Sequence, residues 1–184
     1  MTQARHRGAG FTLVEILVVV VIVGIVISIA TIATSVLGRD REVEDQARRL
    51  AAIMVQAREE SDLQGRDLGV LFDPASYEFL YYEPRKTLWS PPADDDLLSR
   101  RALPEGLKFR LWLESREILL KTQAADKDLT DEELKKRAPH IMMLASGDVT
   151  PFELRIEREG TPSQWRVFSK PDNSVEAEEI HEQR

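Results

Sequence analysis

The sequence predicts an α+β fold: one long N-terminal α-helix, apolar in its first half and amphipathic in its second, packed on a C-terminal antiparallel β-sheet or β-sandwich domain. Three observations predict it. Ile16 to Gly38 is a run of 23 residues without a charge. From Arg39 to Leu63 apolar residues recur at spacings of three and four, the helical period. After Gly65 the period drops to two and turn signals multiply.

The charge-free run comes first. As a helix it extends about 34 Å at roughly 1.5 Å per residue, enough to cross a bilayer core of about 30 Å. Arg5, His6 and Arg7 precede it with no acid among the first ten residues, whereas Arg39, Asp40, Arg41 and Glu42 follow it with mixed sign. That bias places the N-terminus in the cytoplasm and the domain across a membrane. Cysteine is absent, which excludes a disulfide framework or a thiolate metal site. A net charge of −7 argues against nucleic-acid binding.

Three readings fit residues 1–38. The run is a plain anchor, or the apolar core of a secretory signal with a small-residue site at Ser28-Ile29-Ala30, or a retained helix behind a shorter leader. Glu15 divides them. An ionisable residue one turn inside a membrane-length segment costs roughly 2.5–3.5 kcal/mol on insertion scales and marks function. Neither of the first two readings gives it a role.

The run Gly10-Phe11-Thr12-Leu13-Val14-Glu15 resembles the signal of type IV prepilins and type II secretion pseudopilins. The resemblance implies cleavage between Gly10 and Phe11 by a prepilin peptidase on the cytoplasmic side, followed by N-methylation of Phe11. It leaves 174 residues with a formal charge of −9, since the leader carries Arg5 and Arg7 and no acid. It also implies that Glu15, with Phe11, Thr12, Leu13 and Val14 around it, is an assembly contact. The cut creates an α-amino group at a helix start whose first N–H groups lack partners. A carboxylate is favoured at that end, and the family's acid pairs with the amine of a neighbouring subunit. Ile32 stands where many members carry a kinking proline, so the helix is expected to be straighter, with Gly24 its weak point.

The second half of the helix follows. Val43, Ala47, Leu50, Met54 and Ala57 form one apolar stripe, while Arg41, Asp45, Arg48, Arg49, Glu59 and Glu60 fall mainly on other faces. Gly65 is the expected stop. Strands are predicted at Leu68–Phe72, Tyr77–Tyr82, Leu107–Leu113, Ile141–Leu144, Phe152–Glu157 and Gln164–Phe168. Phe109, Leu111 and Leu113 alternate with Lys108, Arg110 and Trp112. Phe152, Leu154 and Ile156 alternate with Glu153, Arg155 and Glu157. Asp73-Pro74, Ser146-Gly147-Asp148 and Gly160-Thr161-Pro162 are the separating turns.

The order of these elements, above all Met142–Leu154 with its Ser-Gly-Asp turn and Thr-Pro-Phe, is similar to minor pseudopilin H. Gly69-Val70-Leu71-Phe72, Trp89 and the Leu103-Pro104-Glu105-Gly106 turn fit as well. The resemblance is weakest over Leu119–Pro139. There Thr130-Asp131-Glu132-Glu133 reads as a capping box, stapled by Leu129 and Leu134, for a short helix to about Arg137. The expected organisation is a leader at 1–10, an apolar helix at 11–38, its amphipathic continuation at 39–64, a β domain at 65–175 and an acidic disordered tail at 176–184.

No catalytic constellation is found. Asp94-Asp95-Asp96 and the run Asp126 to Glu133 read as solvated loops, lacking the glycine and spacing of an EF-hand. His6, His140 and His181 are scattered. Ser146 lacks a nucleophile elbow and reads as a turn serine. Of the tryptophans, Trp112 is the one expected at an interface. The function implied is a non-enzymatic minor pseudopilin near the tip of a type II secretion pseudopilus, supporting export of folded proteins with no cofactor and no bound metal. Implied partners are the major and minor pseudopilins, the prepilin peptidase/methyltransferase, the inner-membrane assembly platform and the lipid bilayer, with no nucleic acid. The alternative is a minor type IV pilin of the FimT/FimU kind that binds DNA through exposed Lys or Arg.

Overall fold

The computed structural model describes residues 12–92, 95–122, 137–158 and 164–180, the side chains of residues 28–40 excepted. The chain divides into two compact units, Met1–Arg39 and Asp40–Arg184. Helix α1 runs Leu13–Gln64, 52 residues without a break. The expected stop is the observed one. Gly65 takes a left-handed φ of 60°, and Arg66 N donates to Ser61 O at 3.2 Å, closing a Schellman turn that Cβ-bearing residues favour less. The buried Ser61 hydroxyl, at 2.7 Å from Arg66 O and 3.1 Å from Met143 O, ties the helix end to a strand.

Ten strands follow: β1 Leu68–Phe72, β2 Ser76–Glu83, β3 Leu88–Ser90, β4 Arg101–Ala102, β5 Leu107–Leu113, β6 Arg116–Ile118, β7 Ile141–Met143, β8 Phe152–Arg158, β9 Gln164–Ser169 and β10 Val175–Glu179. They form two antiparallel sheets. One has the order β3-β2-β1-β7 with β4 also on β2; the other is β10-β9-β8-β5-β6. All six predicted strands are present within a residue or two of their expected ends.

The core lies between the helix stripe and the inner faces of both sheets. Val43, Ala47, Leu50, Met54 and Ala57 are each at most 1% exposed, as the spacing predicts. They meet Leu68, Val70 and Phe72 of β1 and Leu111, Leu154, Ile156 and Val167 of the second sheet. Each Leu- or Met-sized side chain so buried contributes about 1.5–3 kcal/mol. An aromatic cluster joins the sheets, with Phe72 edge-on to Phe109 at 5.4 Å and Tyr77 to Phe109 at 6.0 Å.

Strand β1 is buried along its whole length, which accounts for its unbroken apolar sequence. Its second face is covered by the segment entering β7. Pro139 lies on Gly69, where a Cβ would stand 2.3 Å from the proline Cγ. Arg137 ion-pairs there with Glu78, both side chains nearly inaccessible.

Three expectations are corrected. Residues 176–179 are not a disordered tail. They belong to β10, whose Ala177 and Glu178 pair with Val167 and Arg166 of β9; Glu178 and Glu176 meet Arg166 and Lys170, so the acids that suggested disorder are the solvent face of an edge strand. The predicted short helix does not include Arg137, which is irregular and buried, and its remaining residues 131–136 lie outside the described set. Strands β3, β4 and β6 were not expected. They are two or three residues long and exist by pairing to a neighbour.

Candidate assembly site at the helix start

The segment singled out by the sequence begins with Gly10 and Phe11, which lie outside the described residues. Thr12 is the N-cap of α1. Its Oγ1 accepts from Glu15 N at 3.2 Å, and its carbonyl accepts the first i→i−4 bond from Ile16 N at 3.2 Å. Leu13, Val14 and Glu15 are therefore the first three helical residues. Thr12-x-x-Glu15 has capping-box spacing, with the acid three residues after the cap. That signal stands in the sequence and was not read from it. It gives Glu15 a local reason to follow Thr12, besides the favourable dipole end. The Glu15 carboxylate itself has no hydrogen bond or ion pair among the described residues, and it is exposed.

The surface beyond it is apolar on every side. From Leu13 to Ile27 the large apolar side chains are 48–82% exposed. A helix apolar all round belongs in lipid or among other helices. Among the described residues no helix is long and apolar enough to cross a membrane; residues 28–38, which complete the charge-free run in the sequence, contribute no described side chains.

The remaining candidates resolve into structure. Asp95 Oδ1 accepts from Leu97 N and Leu98 N at 2.8 and 3.1 Å, a turn cap; Asp94 and residues 126–133 are outside the described set, as are His6 and His181. Among the described residues no cluster of three acidic or histidine side chains is arranged to hold a metal. Ser146 bonds Asp148 within its turn, where Gly147 takes a φ of 87°. His140 Nδ1 accepts from Phe72 N at 3.1 Å, and burial lowers its pKa from the ordinary value. Trp165 is in the core. Trp112 is half-buried on the outer face of β5, between the guanidinium groups of Arg110 and Arg155 at 4.9 and 4.5 Å.

Comparison with known proteins addresses both regions. Residues 5–31 match the prokaryotic N-terminal methylation motif. Over 151 residues, 82% of this chain and 84% of the relative, the sequence is 30% identical to type II secretion system protein H of Pseudomonas aeruginosa. It is 29% identical over 168 residues to the protein of that name from Aeromonas hydrophila, covering 91% of each. The crystal structure of the minor pseudopilin EpsH of Vibrio cholerae matches 76% of this chain and 97% of its own, with a TM-score of 0.61 at 28% identity. The Vibrio cholerae protein is a minor pseudopilin of the type II secretion system.

Proposed function

Since the chain belongs to the type II secretion system protein H family of minor pseudopilins, we propose that its N-terminal helix enters the inner membrane once, N-terminus in the cytoplasm, and is cut between Gly10 and Phe11. Phe11 is then N-methylated, and Glu15 pairs with the α-amino group of an adjacent subunit. The helix joins those of the major and minor pseudopilins through the inner-membrane assembly platform, near the tip of a periplasmic pseudopilus that supports export of folded proteins. The domain takes no part in bond chemistry.

The observation that carries this reading is the pairing of an all-round exposed apolar helix face with a capped start whose one acid is unpaired among the described residues. In lipid such an acid is costly, and a neighbour's ammonium relieves it. The monomer is thereby less favourable in the bilayer than the assembled filament, which directs register. Intact mass of the chain recovered from membranes tests it. N-methyl-Phe11 is expected; a chain starting at Met1 or Thr2 returns the plain anchor, and one starting at Thr31 the secretory signal. Glu15→Ala is expected to be cut normally yet to enter the filament poorly.

A further inference from the structure

In the domain most arginines with a described partner face a carboxylate: Arg48 meets Glu44, Arg100 Asp73, Arg110 Glu117, Arg158 Glu42, and Arg155 and Arg166 Glu153. Two arginines that meet none among the described residues line the same cavity. It measures about 470 Å³ and is walled by Gln46 and Arg49 of α1, Tyr77 of β2, Arg101 of β4, and Leu103 and Pro104. Tyr77 and Arg101 are direct cross-strand partners, so their side chains share the face turned to the helix.

The groups are held in place without being neutralised. Arg101 donates to two backbone carbonyls, Asp96 O at 2.8 Å and Leu97 O at 3.4 Å, which orient the guanidinium and leave its charge uncompensated. The Tyr77 ring is fixed edge-on against Phe79 and Phe109 at 6.0 Å each. Its hydroxyl has no hydrogen bond among the described residues, and the residue lines the cavity. Burial raises the phenol pKa, while Arg101 and Arg49 both pull it down. The cavity therefore presents two guanidinium groups, a phenol and an amide, on a chain whose net charge is −7. Guanidinium groups are geometrically matched to a carboxylate, which accepts two parallel N–H bonds.

We propose that this cavity receives the carboxylate of an Asp or Glu side chain from a neighbouring pseudopilin. The inference rests on the family assignment and names a contact of the domain, separate from the helix.

A benzoylphenylalanine photocrosslinker at Ala102, an exposed rim position, tests it in the full chain assembled in cells with the pseudopilins of its own secretion system. A crosslink to a pseudopilin peptide containing Asp or Glu is expected. Arg49→Glu with Arg101→Glu should lower its yield about tenfold or more, as like-charge juxtaposition does, while Arg49→Lys with Arg101→Lys, which keeps the charge and loses the paired N–H donors, should lower it less. Should Arg101→Glu unfold the domain, Arg49→Glu alone, at an exposed position, carries the same expectation. A lipid or nucleic-acid adduct, no adduct, or an adduct indifferent to charge reversal overturns the proposal. A second crosslinker at Val20 separates the failures. If Val20 still reaches another pseudopilin while Ala102 does not, the pocket contact alone is wrong; if both are silent, the assembly reading falls with it.

Discussion

The two ends of α1 hold similar apolar side chains in opposite circumstances. Val43, Leu50 and Met54 are closed off by strands of the same chain, whereas Val20, Ile22 and Ile25 are 54–64% exposed. The first set forms a stripe on one face and the second covers every face. A stripe is a folding element: it needs one surface, and the domain supplies it. An all-round apolar cylinder needs surroundings, and nothing among the described residues of its own unit supplies them. One continuous helix thus stores two kinds of hydrophobic free energy. One is released when the domain folds, the other when the chain meets lipid or other helices.

The sharpest break of this comparison is a matched pair of truncations. Leu50→Ala is expected to destabilise the domain by about 2–5 kcal/mol, since the cavity it leaves has little room to collapse. Val20→Ala should leave the unfolding midpoint unchanged and act on filament incorporation alone. Urea or guanidinium unfolding of the full chain in neutral detergent, followed by tryptophan fluorescence, reads the first; equal losses of stability in both variants would erase the distinction between the halves.

A pair of glycines sharpens the same contrast at a smaller magnitude. A Cβ at Gly69 meets the rigid Pro139 ring at 2.3 Å, while one at Gly24 meets nothing within 4 Å. Gly69→Ala should cost about 1–3 kcal/mol as overpacking. Gly24→Ala should favour the helix by about 0.5–1 kcal/mol. If Gly24→Ala lowers incorporation without destabilising the isolated chain, a neighbouring helix approaches at that point.

What the sequence revealed follows the same division. The stripe, the stop at Gly65 and the six longer strands were legible because burial imposes a period and a φ above zero selects glycine. The short strands were not, because β4 and β6 have no apolar pattern of their own. In β10 only Val175 and Ala177 offer an apolar side against Glu176, Glu178 and Glu179, so pairing with β9 outweighs composition. At the helix start, the acid drew attention by its charge and its capping relation to Thr12 went unread. The cationic cavity was beyond sequence reasoning altogether: Arg49, Tyr77 and Arg101 are distant in the chain, Tyr77 and Arg101 meet through the β2–β4 register, and Arg49 joins them from α1.

Thr12 offers a test confined to the exposed half. Thr12→Ala removes the Oγ1 acceptor of Glu15 N and is expected to cost about 1 kcal/mol of local helix stability. Amide exchange at Glu15 in detergent should accelerate accordingly, with the domain's unfolding midpoint unmoved. An unchanged exchange rate would mean that water or another group satisfies that N–H as well as threonine does.

The smallest effect belongs to the domain half and depends on pH. His140 Nδ1 accepts from Phe72 N, so that nitrogen must stay unprotonated, and burial holds the imidazole pKa below its ordinary value while Asp73 pulls it partly back. In the unfolded chain the imidazole titrates near 6.5. As pH falls through that value the unfolded state takes up a proton that the folded state refuses. Stability is therefore full above about pH 6.5 and declines below it, by at most about 1.4 kcal/mol per pH unit, until the folded-state pKa is reached. His140→Asn keeps an acceptor near the Nδ1 position and cannot titrate, so its unfolding midpoint should lose this step between pH 6.5 and 5. A step of the same size in the variant would assign it to other groups.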